Sequence, residues 1–181
     1  MKKVLLVIPE KSYKSNDFVV AAKRLKIPFS IITDSQQVSE SLTDNIIISN
    51  FDEDISPEVL MKLKDITHVL PVDHSSLEFA AKLKDLLSAT GNTYFSVMNA
   101  MDKYKSRIIF NEVTKVKIEN TYLNDSKDLM TFMSKFDIGV LKPTRGTASN
   151  KVIKVTHQNM DQPLMKNIIK DCKKDELIIE E

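Results

Sequence analysis

Residues 4–8 read VLLVI, apolar at every position, and Pro9 closes the run. A strand with one solvated face alternates apolar and polar residues; a strand covered on both faces does not. The run therefore calls for a sheet with a layer on each side. Three more short runs follow: "PFSIIT" (28–33), "NIIIS" (45–49) and "THVLPV" (67–72). Between them the spacing is helical. Phe18, Val19, Ala22 and Leu25 fall on one helix face after Asn16, a candidate cap. Ser56 and Pro57 supply a cap and a first-turn proline for the next helix. Ser75 or Ser76 opens "LEFAAKLKDLLSA", which Gly91 ends. Strands alternating with helices predict an α/β open sheet, because parallel strands need long crossovers. Functional groups in such sheets lie beyond the strands' carboxyl ends. Here those ends are Pro9-Glu10-Lys11, Thr33-Asp34-Ser35, Ser49-Asn50 and Val72-Asp73-His74.

The pattern changes after about residue 94. Residues 96–113 are helical with a break near Asp102, and 114–123 read as an extended connection. A helix over 126–136 takes Ser126 as its cap. "GVLKPTRGTASNKVIKV" (139–155) reads strand, loop, strand. Asp161 to Cys172 is helical, with Pro163 in its first turn, and "DELIIEE" is a last strand. The expected domains are 1–95, a Rossmann-like α/β unit with an open, mostly parallel sheet, and 96–181, a small α+β unit.

Several function classes are disfavoured. The net charge is +1, and no basic stripe with interleaved aromatics occurs, so neither nucleic acid nor a membrane surface is an expected partner. The single cysteine, Cys172, forms no internal disulfide and fits a reducing cytoplasm; no Cys/His cluster has zinc spacing. No apolar run is long enough for a signal peptide or a membrane span. His74 could serve as a general acid or base, but Asp73, Ser75 and Ser76 around it are good cap residues, and no Ser or Cys nucleophile is paired with it.

Three pieces could carry chemistry. In the hairpin, backbone N–H groups of a loop of small residues can approach an anion, with Lys142 as a point charge and Arg145 as a fork. A basic surface hairpin with a glycine turn is the plainer alternative. In "DKYKSR" (102–107), Asp102 caps a helix whose first turn holds Lys103, where a cation opposes the macrodipole. An anion nearby would explain that lysine; a solvated helix end would also. The third piece, "ELIIEE" (176–181), could offer backbone groups and a carboxylate to an adenine edge, or be an ordinary strand end. Neither a G-x-x-x-x-G-K-[ST] loop nor a G-x-G-x-x-G turn is present.

In order, these pieces resemble the ATP-grasp superfamily of carboxylate–amine (or thiol) ligases, over nearly the whole chain. "KVLLVIP" through "SIITD", with Tyr13, Asp17, Phe18, Ala21, Ala22, Arg24 and Leu25, is similar to a biotin-carboxylase-like branch. "AMDKYKSR" resembles the stretch with the family's D-K-x-x-x-R signature, "VLKPTRGTASNKVIKV" its lysine strand and phosphate loop, and "ELIIEE" its interdomain strand. The resemblance implies that Lys103 and Lys142 contact ATP phosphates. It implies that Thr144, Arg145, Gly146, Thr147 and Ser149 belong to a mobile loop over the β- and γ-phosphates. It implies that Ile179, Glu180 and Glu181 meet the adenine. The reaction implied is activation of a carboxylate as an acyl phosphate, then attack by an amine or another nucleophile, with ATP and Mg²⁺ as cofactors.

Two departures stand out. Lys151 occupies a position where relatives have glycine, so a conformation with φ above zero is not expected there. Relatives also continue past the position of Glu181 into a second lobe that carries the magnesium ligands. The chain as given reads as the N-terminal portion, with no metal pair of its own, expected to bind ATP weakly and to be inactive alone. A non-catalytic module that binds a separate second lobe is the alternative, favoured if Leu177, Ile178 and Ile179 form an exposed, unpaired edge. A homodimer through the N-terminal sheet and a generic ligand-binding domain are further readings.

Overall fold

A computed structural model describes residues 3–35, 45–146, 149–160, 163 and 176–181. The chain packs as two compact units, Met1–Met98 and Asn99–Glu181. The expected helix 161–172, Cys172 and Thr147 lie outside the described residues, apart from Pro163.

In the first unit the four apolar runs are β1 (Val4–Ile8), β2 (Phe29–Thr33), β3 (Ile46–Ile48) and β4 (His68–Pro71). They form one parallel sheet in the order β3-β2-β1-β4. The helices are α1 (Ser15–Arg24), α2 (Pro57–Lys62) and α3 (Leu77–Leu86). β1 shows why its run is unbroken. Leu5 and Val7 pack with Ile32, Leu63, Phe79 and Leu83 on one face, while Leu6 and Ile8 pack with Val19 and Ile31 on the other. Each such side chain contributes about 1.5–3 kcal/mol by burial, so the alternation of faces along β1 holds both layers.

Local signals decide the helix ends, in part differently from expectation. Ser56 caps α2 by accepting from the Val59 N–H at 3.3 Å. Asn16 caps nothing: α1 starts at Ser15 with no side-chain cap. Asp73 and Ser76 form a capping box around a 3₁₀ turn, His74–Ser76, that leads into α3. α3 ends well before Gly91. Ser88 takes the left-handed position at φ 52°, its N–H donating to Asp85 O and that of Ala89 to Lys84 O. Lys26 does the same after α1, at φ 54°. These are Schellman ends without glycine. A Cβ in that region costs on the order of 1 kcal/mol. Ser88→Gly should therefore raise stability by about 0.5–1 kcal/mol, read as a higher urea midpoint at unchanged slope.

The division between units falls within α4 (Tyr94–Met101). The second unit continues with α5 (Lys103–Val113), β5 (Asn120–Tyr122), α6 (Ser126–Met133), β6 (Ile138–Pro143), β7 (Ile153–Thr156) and β8 (Leu177–Glu180). Its sheet is antiparallel, in the order β5-β8-β6-β7. β5 occupies the end of what reads as a plain extended connection. Asp125, not Ser126, caps α6, accepting from the Lys127 N–H at 2.7 Å.

Period-two alternation sorts the faces of this sheet. Leu141, Val155, Leu177 and Ile179 join Leu129, Phe132 and Met133 of α6 in a core. Lys142, Ile178 and Glu180 point to the opposite face. There Tyr104 of α5 meets Tyr122 of β5 edge-on, with ring centroids 5.7 Å apart. The exposed, unpaired edge at Leu177–Ile179 that would favour the non-catalytic alternative is not found: β8 is a central strand, and all three side chains are buried. The extended apolar run was the right signal for a strand but could not say that both of its edges are paired.

Candidate functional site

The second unit brings three sequence pieces together around the end of β6. The helix break at Asp102 is the first device. The Asp102 carboxylate accepts from the Lys105 N–H at 3.1 Å and caps α5, which leaves the first helical N–H, that of Lys103, free of the cap. That N–H donates to Thr144 O at 2.8 Å, and Lys103 Nζ donates to Gly146 O at 3.0 Å. One residue thus ties the start of α5 to the hairpin shoulder twice. Thr144, 2% exposed, is fixed from the other side as well: its N–H donates to Glu176 O at 2.8 Å.

The second device is the sheet register. Val140 stands opposite Glu180, so Lys142, two residues along β6, is the diagonal neighbour of Glu180 on the same face. Lys142 Nζ donates to Glu180 Oε1. Arg107 Nε and Nη2 donate to the other oxygen, Oε2, at 3.3 and 3.1 Å. Arg107 lies four residues after Lys103, hence one turn along the same face of α5. Two cations therefore share one carboxylate, and all three side chains are largely buried.

Lys103 is partly buried, with one neighbouring cation and two neighbouring carboxylates. Partial burial, then the neighbouring Lys142 charge, hold its ammonium below the usual lysine range, against opposing attraction from Asp102 and Glu180. An ammonium so placed gains from an anion: the charge of a bound phosphate would offset both causes.

The remaining expected residues are placed as follows. Arg145, Gly146 and Ser149 are exposed along the described parts of the hairpin loop. Ile179 is wholly buried, its side chain in the α6 core. Glu181 is exposed just past β8, its N–H donating to Glu119 O at 3.2 Å. Lys151 corrects the expectation drawn from its side chain: it adopts φ 57°, and Ser149 adopts φ 55°. The loop keeps the left-handed geometry and carries the cost of a Cβ.

Arg107 is the residue that sequence reasoning quoted but gave no role. The signal was its place four residues after Lys103. Among the described residues no group of three or more His, Cys, Asp or Glu side chains is placed to hold a metal ion. The nearby carboxylates do not fit a resident Mg²⁺: Glu180 is held by two cations and Asp102 by the helix cap. Among the described residues no helix is long and apolar enough to cross a membrane.

A parallel sheet covered on both faces, followed by a small antiparallel sheet whose lysine-bearing hairpin is tied to a helix start, is an ATP-grasp-like fold. Solved ATP-grasp ligases share it. No protein-family model and no curated protein matches the sequence. An L-amino acid ligase from Bacillus licheniformis superposes with TM-score 0.67 at 16% identity, over 99% of this chain and 44% of its own. The carboxyaminoimidazole ribonucleotide synthase from Aspergillus clavatus, complexed with ATP, gives 0.70 at 16% identity, over 99% of this chain and 46% of its own. The biotin carboxylase domain of the Hydrogenobacter thermophilus 2-oxoglutarate carboxylase, in complex with MgADP, ADP and bicarbonate, gives 0.70 at 15% identity, over 99% and 44%. At such identities the likeness is one of fold, and the chain spans less than half the length of these structures.

Proposed function

We propose that this chain supplies the phosphate-gripping wall of the nucleotide site of an ATP-dependent ligase, one that activates a carboxylate as an acyl phosphate for attack by an amine or another nucleophile. One observation carries the reading. Lys103, at a helix start, donates from Nζ to Gly146 O of the hairpin that bears Lys142, and burial followed by the Lys142 charge lowers its proton affinity. That pair stands in a fold whose solved examples include complexes with ATP and with MgADP. Phosphoryl transfer is mostly positioning and charge neutralisation, which two ammonium groups and a loop of small residues supply. In this reading Lys103 and Lys142 take phosphate oxygens, and Thr144 to Ser149 close over the β- and γ-phosphates. The adenine lies at the end of β8, beside Glu180, Glu181 and the main chain leaving Ile179. Magnesium arrives with the nucleotide, held by phosphate oxygens.

Calorimetric titration of Mg-ATP tests this. One site per chain is expected, competed by tripolyphosphate. Because Lys103 discharges below the usual lysine range, affinity should fall as pH rises through its lowered pKa, before free lysine would titrate. Absence of binding, or binding indifferent to alkaline pH, overturns the reading.

A second reading, a non-catalytic module that docks on a separate lobe, is favoured by one observation. α5 fully buries none of its residues and exposes Phe110 and Val113. Capture of a separately supplied ATP-grasp second lobe by Phe110→Ser as tightly as by the parent would count against it.

A further inference from the structure

Arg107 bonds Glu180, not the hairpin loop, and through Glu180 it is joined to Lys142. Glu180 gives Oε2 to the Arg107 fork and Oε1 to Lys142. We infer that Arg107 and Glu180 are positioning residues that set how readily Lys142 is released to an incoming polyphosphate. The inference rests on the proposed function in taking Lys142 as a ligand of a polyphosphate, and not on the nucleoside.

The argument is one of competing partners. Lys142 cannot serve an anion fully while Glu180 holds its ammonium. Moving Lys142 away would strand a carboxylate that is 8% exposed, and an uncompensated buried charge is strongly unfavourable. Arg107 prevents this. Its two donors are on Oε2, the oxygen that Lys142 does not use, so Glu180 would keep a counter-charge if Lys142 turned away. The fork suits the task because a planar guanidinium grips one carboxylate through two N–H groups at fixed geometry, which a lysine cannot reproduce. Register and helix pitch supply the rest: Lys142 sits diagonal to Glu180 across β6 and β8, and Arg107 reaches it from α5. Removing the negative charge of Glu180 should free Lys142, whereas removing Arg107 should bind it harder to Glu180. The two changes have opposite signs, which loss of fold alone cannot produce.

Tripolyphosphate titrated at fixed ionic strength into the parent, Glu180→Gln and Arg107→Gln reads this directly. Glu180→Gln should bind about tenfold more tightly and Arg107→Gln about tenfold more weakly, each the equivalent of one charge-assisted hydrogen bond. Arg107→Lys should be weaker by about threefold, since one donor replaces the fork. Level affinities, loss in both Gln variants, or no binding by any protein overturns the inference. If either Gln variant fails to fold, Arg107→Lys decides: affinity equal to the parent overturns it. Parallel titration with ATP separates the two readings. If the signs appear but ATP binds no better than tripolyphosphate, the nucleotide reading fails and this one stands. If ATP is preferred and the variants are level, the reverse holds.

Discussion

Lys142→Ala is expected to weaken Mg-ATP binding by about 10- to 100-fold, the range of a hydrogen bond to a charged group, while thermal unfolding hardly moves. The two halves of that result have one cause. Glu180 loses a partner in the variant but keeps the two Arg107 bonds, so no buried charge is stranded. Lys142 is the last residue but one of β6 and faces away from the α6-side core, so its aliphatic stem adds little to that core. Lys154 is the matched control. It pairs in register with Val140, projects to the same face of the sheet, and is exposed. Lys154→Ala removes equal charge and should leave affinity within about twofold, since exposed charges are screened. An equal loss in both variants would reduce the effect to bulk charge and sink the assignment of Lys142.

The largest expected effect on stability belongs to Gly139→Val. A Cβ at Gly139 would stand 2.6 Å from Ile179 Cδ1, 2.9 Å from Ile179 Cγ1 and 3.2 Å from Phe132 Cε1. Ile179 is wholly buried and Phe132 nearly so, which leaves neither side chain room to retreat. Overpacking costs about 1–3 kcal/mol for a modest excess, and a branched side chain at this spacing should reach the top of that range or beyond. The first unit has its own two cores, on either face of its sheet. Amide exchange should therefore lose protection in β6 and β8 of the variant and keep it in β1 and β2. Uniform loss in both units, or no loss, contradicts this account.

How much of this was legible in the sequence depends on whether a signal was local. The four parallel strands were, as short apolar runs; in β1, buried on both faces like β2, the run is unbroken for that reason, while β3 and β4 keep apolar runs although Ile48 and Leu70 are exposed. The Asp102 break was legible too, because a cap residue before a helical run has a chemical reason to be there. The partners of a strand are not local. Nothing in "ELIIEE" says that β8 lies between β5 and β6, and the idea of an exposed edge there failed for that reason. Glycine was also too narrow a guide. With three glycines in the chain, Lys26, Ser88, Ser149, Lys151 and Glu176 take left-handed positions instead. The Arg107–Glu180–Lys142 group was half legible. Helix pitch links Arg107 to Lys103, but only the sheet register brings Glu180 to both cations.

The position of β8 also bears on how the second unit is made. Among the described residues β8 is the last of the sheet's four strands in the chain, yet it is the only partner of β5 and one of the two partners of β6. During synthesis α6 and the β6–β7 hairpin can assemble from neighbours in sequence, while β5 waits for a strand more than fifty residues downstream. Closing that distance comes late and slowly, since the entropy of the loop is lost before the pairing returns anything. Until then the β6 edge is open to any other extended segment. A chaperone or a crowded ribosome would meet this protein in that state, with its first unit folded and the second still lacking its middle strand.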